Sequence, residues 1–137
     1  MSRCFLSVEY LKDRAQQAMK RISGEVYKTP LIRSNTYGSN LYYKAENFQF
    51  SGSFKLRGAF SKLTVLRDSD NLSSTRLITA SSGNHGLACS YAAKELGGNL
   101  TVVLPETVAP VKLEKINSFG VNVIPVSYTH LTLPTKA

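Results

Sequence analysis

The feature that most constrains this chain is an alternation of short β-branched runs with helix-period segments between residues 76 and 126. Leu77-Ile78-Thr79-Ala80 is a short apolar run, followed by a glycine-containing turn from Ser81 to Gly86. The segment to Leu96 has a helical pattern and closes on Gly97-Gly98. Thr101 to Leu104 is a second β-branched run, Val111 to Phe119 a second helix stopped by Gly120, and Val121 to Ile124 a third strand. A helix between two strands returns the chain to the same edge of the sheet, so the strands must run parallel with right-handed crossovers. The expected fold class is α/β with a parallel sheet.

The first half has a different rhythm. Val8, Leu11, Ala15, Met19 and Ile22 recur at three- and four-residue spacings, which predicts an amphipathic helix from Ser7 to about Ile22, stopped near Gly24. Thr29-Pro30 opens an extended piece, Leu31 to Arg33, and Leu41 to Ala45 reads as a strand. A helix is expected from Ser53 to about Leu66, with Phe54, Ala59, Phe60, Leu63 and Leu66 as its apolar contacts. The polar stretch 68–75 then reads as a linker between an N-terminal lobe, 1–67, and a small α/β lobe, 76–126. Residues 127–137, SYTHLTLPTKA, have no place in the alternation and are expected to be a non-native tail of vector type, with the natural protein continuing past Val126 in other residues.

Charge enters because the chain carries a net +8. All of the excess lies in residues 1–67, with 12 Lys/Arg against 4 Asp/Glu, but it is scattered singly and lacks any recognition-helix or RNP pattern. Neither nucleic acid nor a membrane is expected as a partner, since no apolar run approaches the roughly 18 residues of a span. The N-terminus meets charged residues too early for a secretory signal, and Cys4 and Cys89 make no disulfide framework, so a cytoplasmic setting is expected. Two histidines and two distant cysteines match no zinc spacing, and His130 falls in the tail.

Two segments carry chemistry. The first runs from Glu46 to Ala59, ENFQFSGSFKLRGA. Lys55 stands at an expected helix start between Phe54 and Leu56, after the small residues Ser51, Gly52 and Ser53, with Arg57 two positions on. Apolar neighbours and nearby positive charge favour a neutral, nucleophilic amine, and small residues allow close approach of a flat ligand. By composition alone, a solvated lysine on an amphipathic helix fits as well. The second is Ala80-Ser81-Ser82-Gly83-Asn84-His85-Gly86, which follows a strand and opens a helix. Free N–H groups and two glycines make it an anion site, or else a turn capped by Ser82 or Asn84.

The first segment resembles, position by position, the pyridoxal-phosphate attachment signature of serine/threonine dehydratases: an acid, small residues, an aromatic, Lys, then Leu-Arg-Gly-Ala. The second resembles the asparagine loop of the same family, and the likeness extends over about residues 5 to 126, through Thr29-Pro30-Leu31, Tyr43 to Asn47, Ser90 to Ala93 and Val103-Leu104-Pro105. The nearest relatives by these runs are threonine dehydratases and serine racemases. The resemblance implies pyridoxal-phosphate fold type II (tryptophan synthase β-like), here a piece of the large lobe plus most of the small one.

The resemblance also implies roles. Lys55 carries the cofactor and acts as the base, Phe54 and Asn84 contact the cofactor, and Ser81, Ser82, Gly83, Asn84 and His85 hold the substrate carboxylate. Ser82 matches the racemase residue that handles protons on the face opposite the lysine. His85 positions the loop, because no partnered nucleophile accompanies it. The implied reaction is β-elimination from threonine or serine, giving a 2-oxo acid and ammonia, with a serine or aspartate-type racemase as the alternative. A third alternative is an inert fragment or basic binding module. The family's glycine-rich phosphate loop comes later in the chain and is not among these residues. Phe50-Ser51 and Leu87 depart from the nucleotide-activated racemases, which weighs against nucleotide regulation. The complete protein is expected to be a homo-oligomer.

Overall fold

The computed structural model describes residues 7–69 and 72–127. Cys4, His130 and all of the expected tail except Ser127 lie outside them. The elements are α1 (Val8–Ile22), β1 (Leu31–Arg33), β2 (Tyr42–Lys44), a single 3-10 turn (Glu46–Phe48), α2 (Lys55–Asp68), β3 (Arg76–Ala80), α3 (Asn84–Leu96), β4 (Asn99–Pro105), α4 (Pro110–Asn117) and β5 (Asn122–Val126).

The alternation does form a parallel sheet, in the order β3-β4-β5, with Ile78 opposite Thr101 and Val103 opposite Ile124. Residues of α3 and Ile116 of α4 share one core with β4, so both helices lie on one face, as crossovers of one hand taken in the same direction require. That face is closed by Leu100, Val102 and Leu104 of β4, all buried. On the other face Ile78 is 71% exposed and Ile124 47% exposed. Parallel sheets are ordinarily covered on both sides, and among the described residues this one is covered on one.

The core continues past the sheet. Leu56, Ala59, Phe60 and Leu63 of α2 pack with Leu87, Ala88, Ala92 and Ala93 of α3 and with Ile116 of α4. The alanines of α3 let α2 lie close against it. Full burial of a residue such as Phe60 or Leu56 contributes about 2–3 kcal/mol. Tyr91 of α3 extends this contact. Its ring stacks on Phe50 at 5.7 Å and meets Phe60 and Phe119 edge-on at 6.2 and 5.6 Å. The stretch between α2 and β3 adds a buried Leu72 to the same core.

Several boundaries and contacts differ from expectation. Helix α2 starts at Lys55 rather than Ser53 and ends at Asp68 rather than Leu66. Phe54 precedes it and is 60% exposed, so it is not one of the helix's core contacts. In α1, which Ser7 caps through Tyr10 N–H at 3.1 Å, Ile22 is buried but Val8, Leu11 and Met19 are exposed. The periodicity gives the helix correctly, yet most of its apolar stripe is left exposed. Strands β1 and β2 pair antiparallel, Ile32 opposite Tyr43, as a short exposed ribbon.

Candidate functional site

The site is built where the first turns of α2 and α3 approach each other. An open cleft of about 440 Å³ is lined by Phe54, Lys55, Arg57, Gly58, Ala59 and His85. Lys55 is exposed at the first position of α2, and its Nζ lies 4.9 Å from the centre of the Phe54 ring. The tight chain before it is made by Gly52, whose φ of +79° suits glycine, closed by its N–H donating to the Gln49 carbonyl at 2.7 Å. Ser51 and Ser53 are 3% and 7% exposed, and their hydroxyls are buried without a hydrogen-bond partner.

The second segment leaves the sheet at the carboxyl end of β3, where ligands of open α/β sheets bind. The Ser81 N–H still donates to the Val103 carbonyl, at 3.0 Å, and its Oγ accepts from the Gly83 N–H at 3.3 Å. Gly83 is the N-cap of α3, and neither Ser82 nor Asn84 caps it through its side chain. The helix start is therefore uncapped, with Asn84 and His85 exposed in its first turn. Gly86 has a steric cause: a Cβ there would overlap the Ser81 backbone carbonyl. Gly86→Ala is expected to destabilise the chain by about 2 kcal/mol, read as a lowered urea midpoint. An unchanged midpoint would mean that the loop shifts freely.

The structure brings Lys55, Phe54 and His85 to one cleft. Ser81, Ser82, Gly83 and Asn84 belong to the same loop as His85 but do not line that cleft. The His85 ring lies against Cys89 Sγ one turn on, at 3.6 Å from Nε2. Burial pushes the Cys89 thiol up to about 11, which makes it a poor nucleophile. Among the described residues no cluster of three or more His, Cys, Asp and Glu side chains is placed to hold a metal, and no helix is long and apolar enough to cross a membrane.

One part of the site was missed from sequence. In sequence Arg57 is positive charge beside Lys55, but its guanidinium grips Glu46, Nε to Oε2 at 3.0 Å and Nη2 to Oε1 at 2.7 Å. Glu46 Oε1 also accepts from the Thr29 hydroxyl at 2.6 Å, with Lys44 Nζ at 4.0 Å. The Arg57 hydrogen bond holds the Glu46 carboxyl below its ordinary value of 4.5, against partial desolvation and with help from Thr29 and the Arg57 and Lys44 charges. A carboxyl depressed by folding stabilises above its unfolded value, and that contribution is lost as pH falls through the folded value. The stability gap between the natural chain and Glu46→Gln should therefore be full at neutral pH and shrink below pH 4.5, measured by thermal unfolding. A gap independent of pH would contradict the charge pairing. Opposite charges at the two ends of the attachment segment were the available signal.

With this geometry described, comparison with known proteins decides the family. The family model described as pyridoxal-phosphate dependent enzyme matches residues 22–133. The chain belongs to this pyridoxal-phosphate-dependent family. A serine racemase of Dictyostelium discoideum is 44% identical over 117 residues, 82% of this chain and 35% of the racemase. A catabolic L-threonine dehydratase of Staphylococcus aureus is 40% identical over 114 residues, 80% of this chain and 32% of the dehydratase. The crystal structure of the Dictyostelium racemase superposes with a TM-score of 0.79 at 40% identity, covering 85% of this chain and 39% of that one. The chain thus spans about a third of the length of these relatives and has part of their type II fold. Its cofactor is pyridoxal phosphate.

Proposed function

We propose that Lys55 is the attachment residue of a pyridoxal-phosphate-dependent dehydratase acting on threonine or serine. The observation that carries this is the exposure of Lys55 in a cleft shared with His85 of the facing loop. The residues fit the cofactor: an accessible amine and, on the facing loop, an uncapped helix N-terminus that suits an anion. When bound, the cofactor supplies an electron sink for negative charge at the substrate α-carbon.

In this reading the chain's own residues divide the work. Lys55 Nζ holds the cofactor and then takes the α-proton. Phe54 gives an apolar wall beside that amine, and Asn84 contacts the ring. Ser81, Ser82, Gly83, Asn84 and His85 present N–H and side-chain donors to the substrate carboxylate, which fixes the α-carbon relative to Lys55. His85 acts by positioning. The β-hydroxyl would then leave as water, and the enamine product, once released and tautomerised to the imine, would be hydrolysed by water to a 2-oxo acid and ammonia.

Racemisation is a second reading, favoured by the 44% identity to a serine racemase. It assigns Ser82 the proton transfer on the face opposite Lys55. The attachment role of Lys55, common to both readings, is tested by incubating the chain with pyridoxal phosphate, reducing with borohydride and mapping the labelled peptide. Selective modification of Lys55 supports it; modification spread evenly over the lysines contradicts it.

A further inference from the structure

We propose that Glu46 and Arg57 form a clasp whose task is to position Lys55, a role that rests on the reading of Lys55 just given. The two side chains close a loop of chain that contains Lys55, and they close it with the two-pronged geometry that only a guanidinium and a carboxylate provide. The clasp is anchored outside the loop as well. Thr29 donates to Glu46, Arg57 Nη2 reaches the Tyr27 carbonyl at 3.4 Å, and Gln49 is tied to Tyr27 at 2.6 and 3.2 Å.

Inside the loop Phe50 stacks on Tyr91 and Leu56 is buried, but the backbone between them is irregular. The loop contains a single 3-10 turn, a positive-φ glycine, and the two buried hydroxyls of Ser51 and Ser53 that lack partners. Helix α2 has no side-chain cap at its start, where Phe54 occupies the N-cap. With no cap there, the direction of the first turn of α2, and of Lys55 on it, is set by the buried Leu56 on one side and by the Arg57 pairing on the other. Arg57 also borders the cleft while its charge is paired with Glu46.

The test uses the 137-residue chain without cofactor. Hydrogen exchange is measured in peptides covering 47–58 and 84–96, and Lys55 is acetylated in competition with Lys62 of the same helix. Glu46→Gln should speed exchange about tenfold in 47–58 and leave 84–96 unchanged, and it should alter the Lys55 to Lys62 modification ratio. The charge swap Glu46→Arg with Arg57→Glu should restore both. Arg57→Lys keeps the charge but loses the fork, and carries the same test should Glu46→Gln fail to fold.

Equal acceleration in both peptides, no acceleration, or a constant lysine ratio would overturn the clasp. Phe119→Leu, which loosens the aromatic cluster without touching a residue of the loop, should leave the lysine ratio constant. If it moves the ratio as Glu46→Gln does, general loosening explains the effect and the clasp is overturned. Failure of the attachment reading is separate: it shows as unselective pyridoxyl labelling of the natural chain, whatever the exchange result.

Discussion

Lys55→Ala is expected to abolish the borohydride-fixed pyridoxyl label that the natural chain acquires in the 47–58 peptide. The argument is one of placement. Lys62 is seven residues further along α2, on the same side of the helix, and is also a primary amine. If intrinsic reactivity governed labelling, the two would react alike. Lys55 differs in standing at the helix start beside the Phe54 ring, in a cleft that faces the loop after β3. A cofactor whose phosphate is drawn to helix N-termini and other clustered N–H donors dwells near Lys55 before any bond forms, and proximity raises the effective concentration of the reacting pair. Removal of Lys55 should therefore lose the label rather than transfer it to Lys62. Equal labelling of both in the natural chain, or transfer to Lys62 in the variant, would show that the cleft does not direct the reaction.

The parts of this molecule that sequence conveys are those that repeat. The β3–α3–β4–α4–β5 order follows from a change of hydrophobic period, which survives in any sequence because one face must stay apolar. The ends shifted by up to three residues. Strand β4 begins at Asn99 and β3 at Arg76, where ladder hydrogen bonds rather than apolar side chains define the strand. Lys55 and the loop at Ser81 to Gly86 were legible through a contiguous run of residues resembling a known signature. The Glu46–Arg57 clasp was not, because pairing across an irregular loop has no period and depends on where the backbone turns. The N-cap of α3 failed for a related reason: Ser82 and Asn84 are good capping residues, but the backbone gives the position to Gly83. The apolar stripe of α1 shows the limit in the other direction, since periodicity reports a face without reporting what covers it.

The second large effect is a loss of turnover: the 137-residue chain, supplied with pyridoxal phosphate, should convert L-threonine or L-serine at least about a thousandfold more slowly than a full-length relative. Two features of the structure argue for this. Phe54 is 60% exposed at the cleft, so water reaches the amine that would take the α-proton. Water there weakens each electrostatic contact on which selective proton removal depends. The sheet that carries the loop proposed to hold the substrate carboxylate is exposed on the face of Ile78 and Ile124. The chain spans about a third of its relatives' length, and the donors that would complete a phosphate site are expected in the remainder. Binding and labelling at Lys55 can thus persist where turnover does not. The assay should follow 2-oxo acid and D-serine together from L-serine. Neither product above background is the expected result for this chain. Rapid release of either would show that the cleft is complete as it stands. The product that dominates when these residues act within a full-length protein separates elimination from racemisation: 2-oxo acid if Lys55 alone moves the proton, D-serine if Ser82 returns it from the other face.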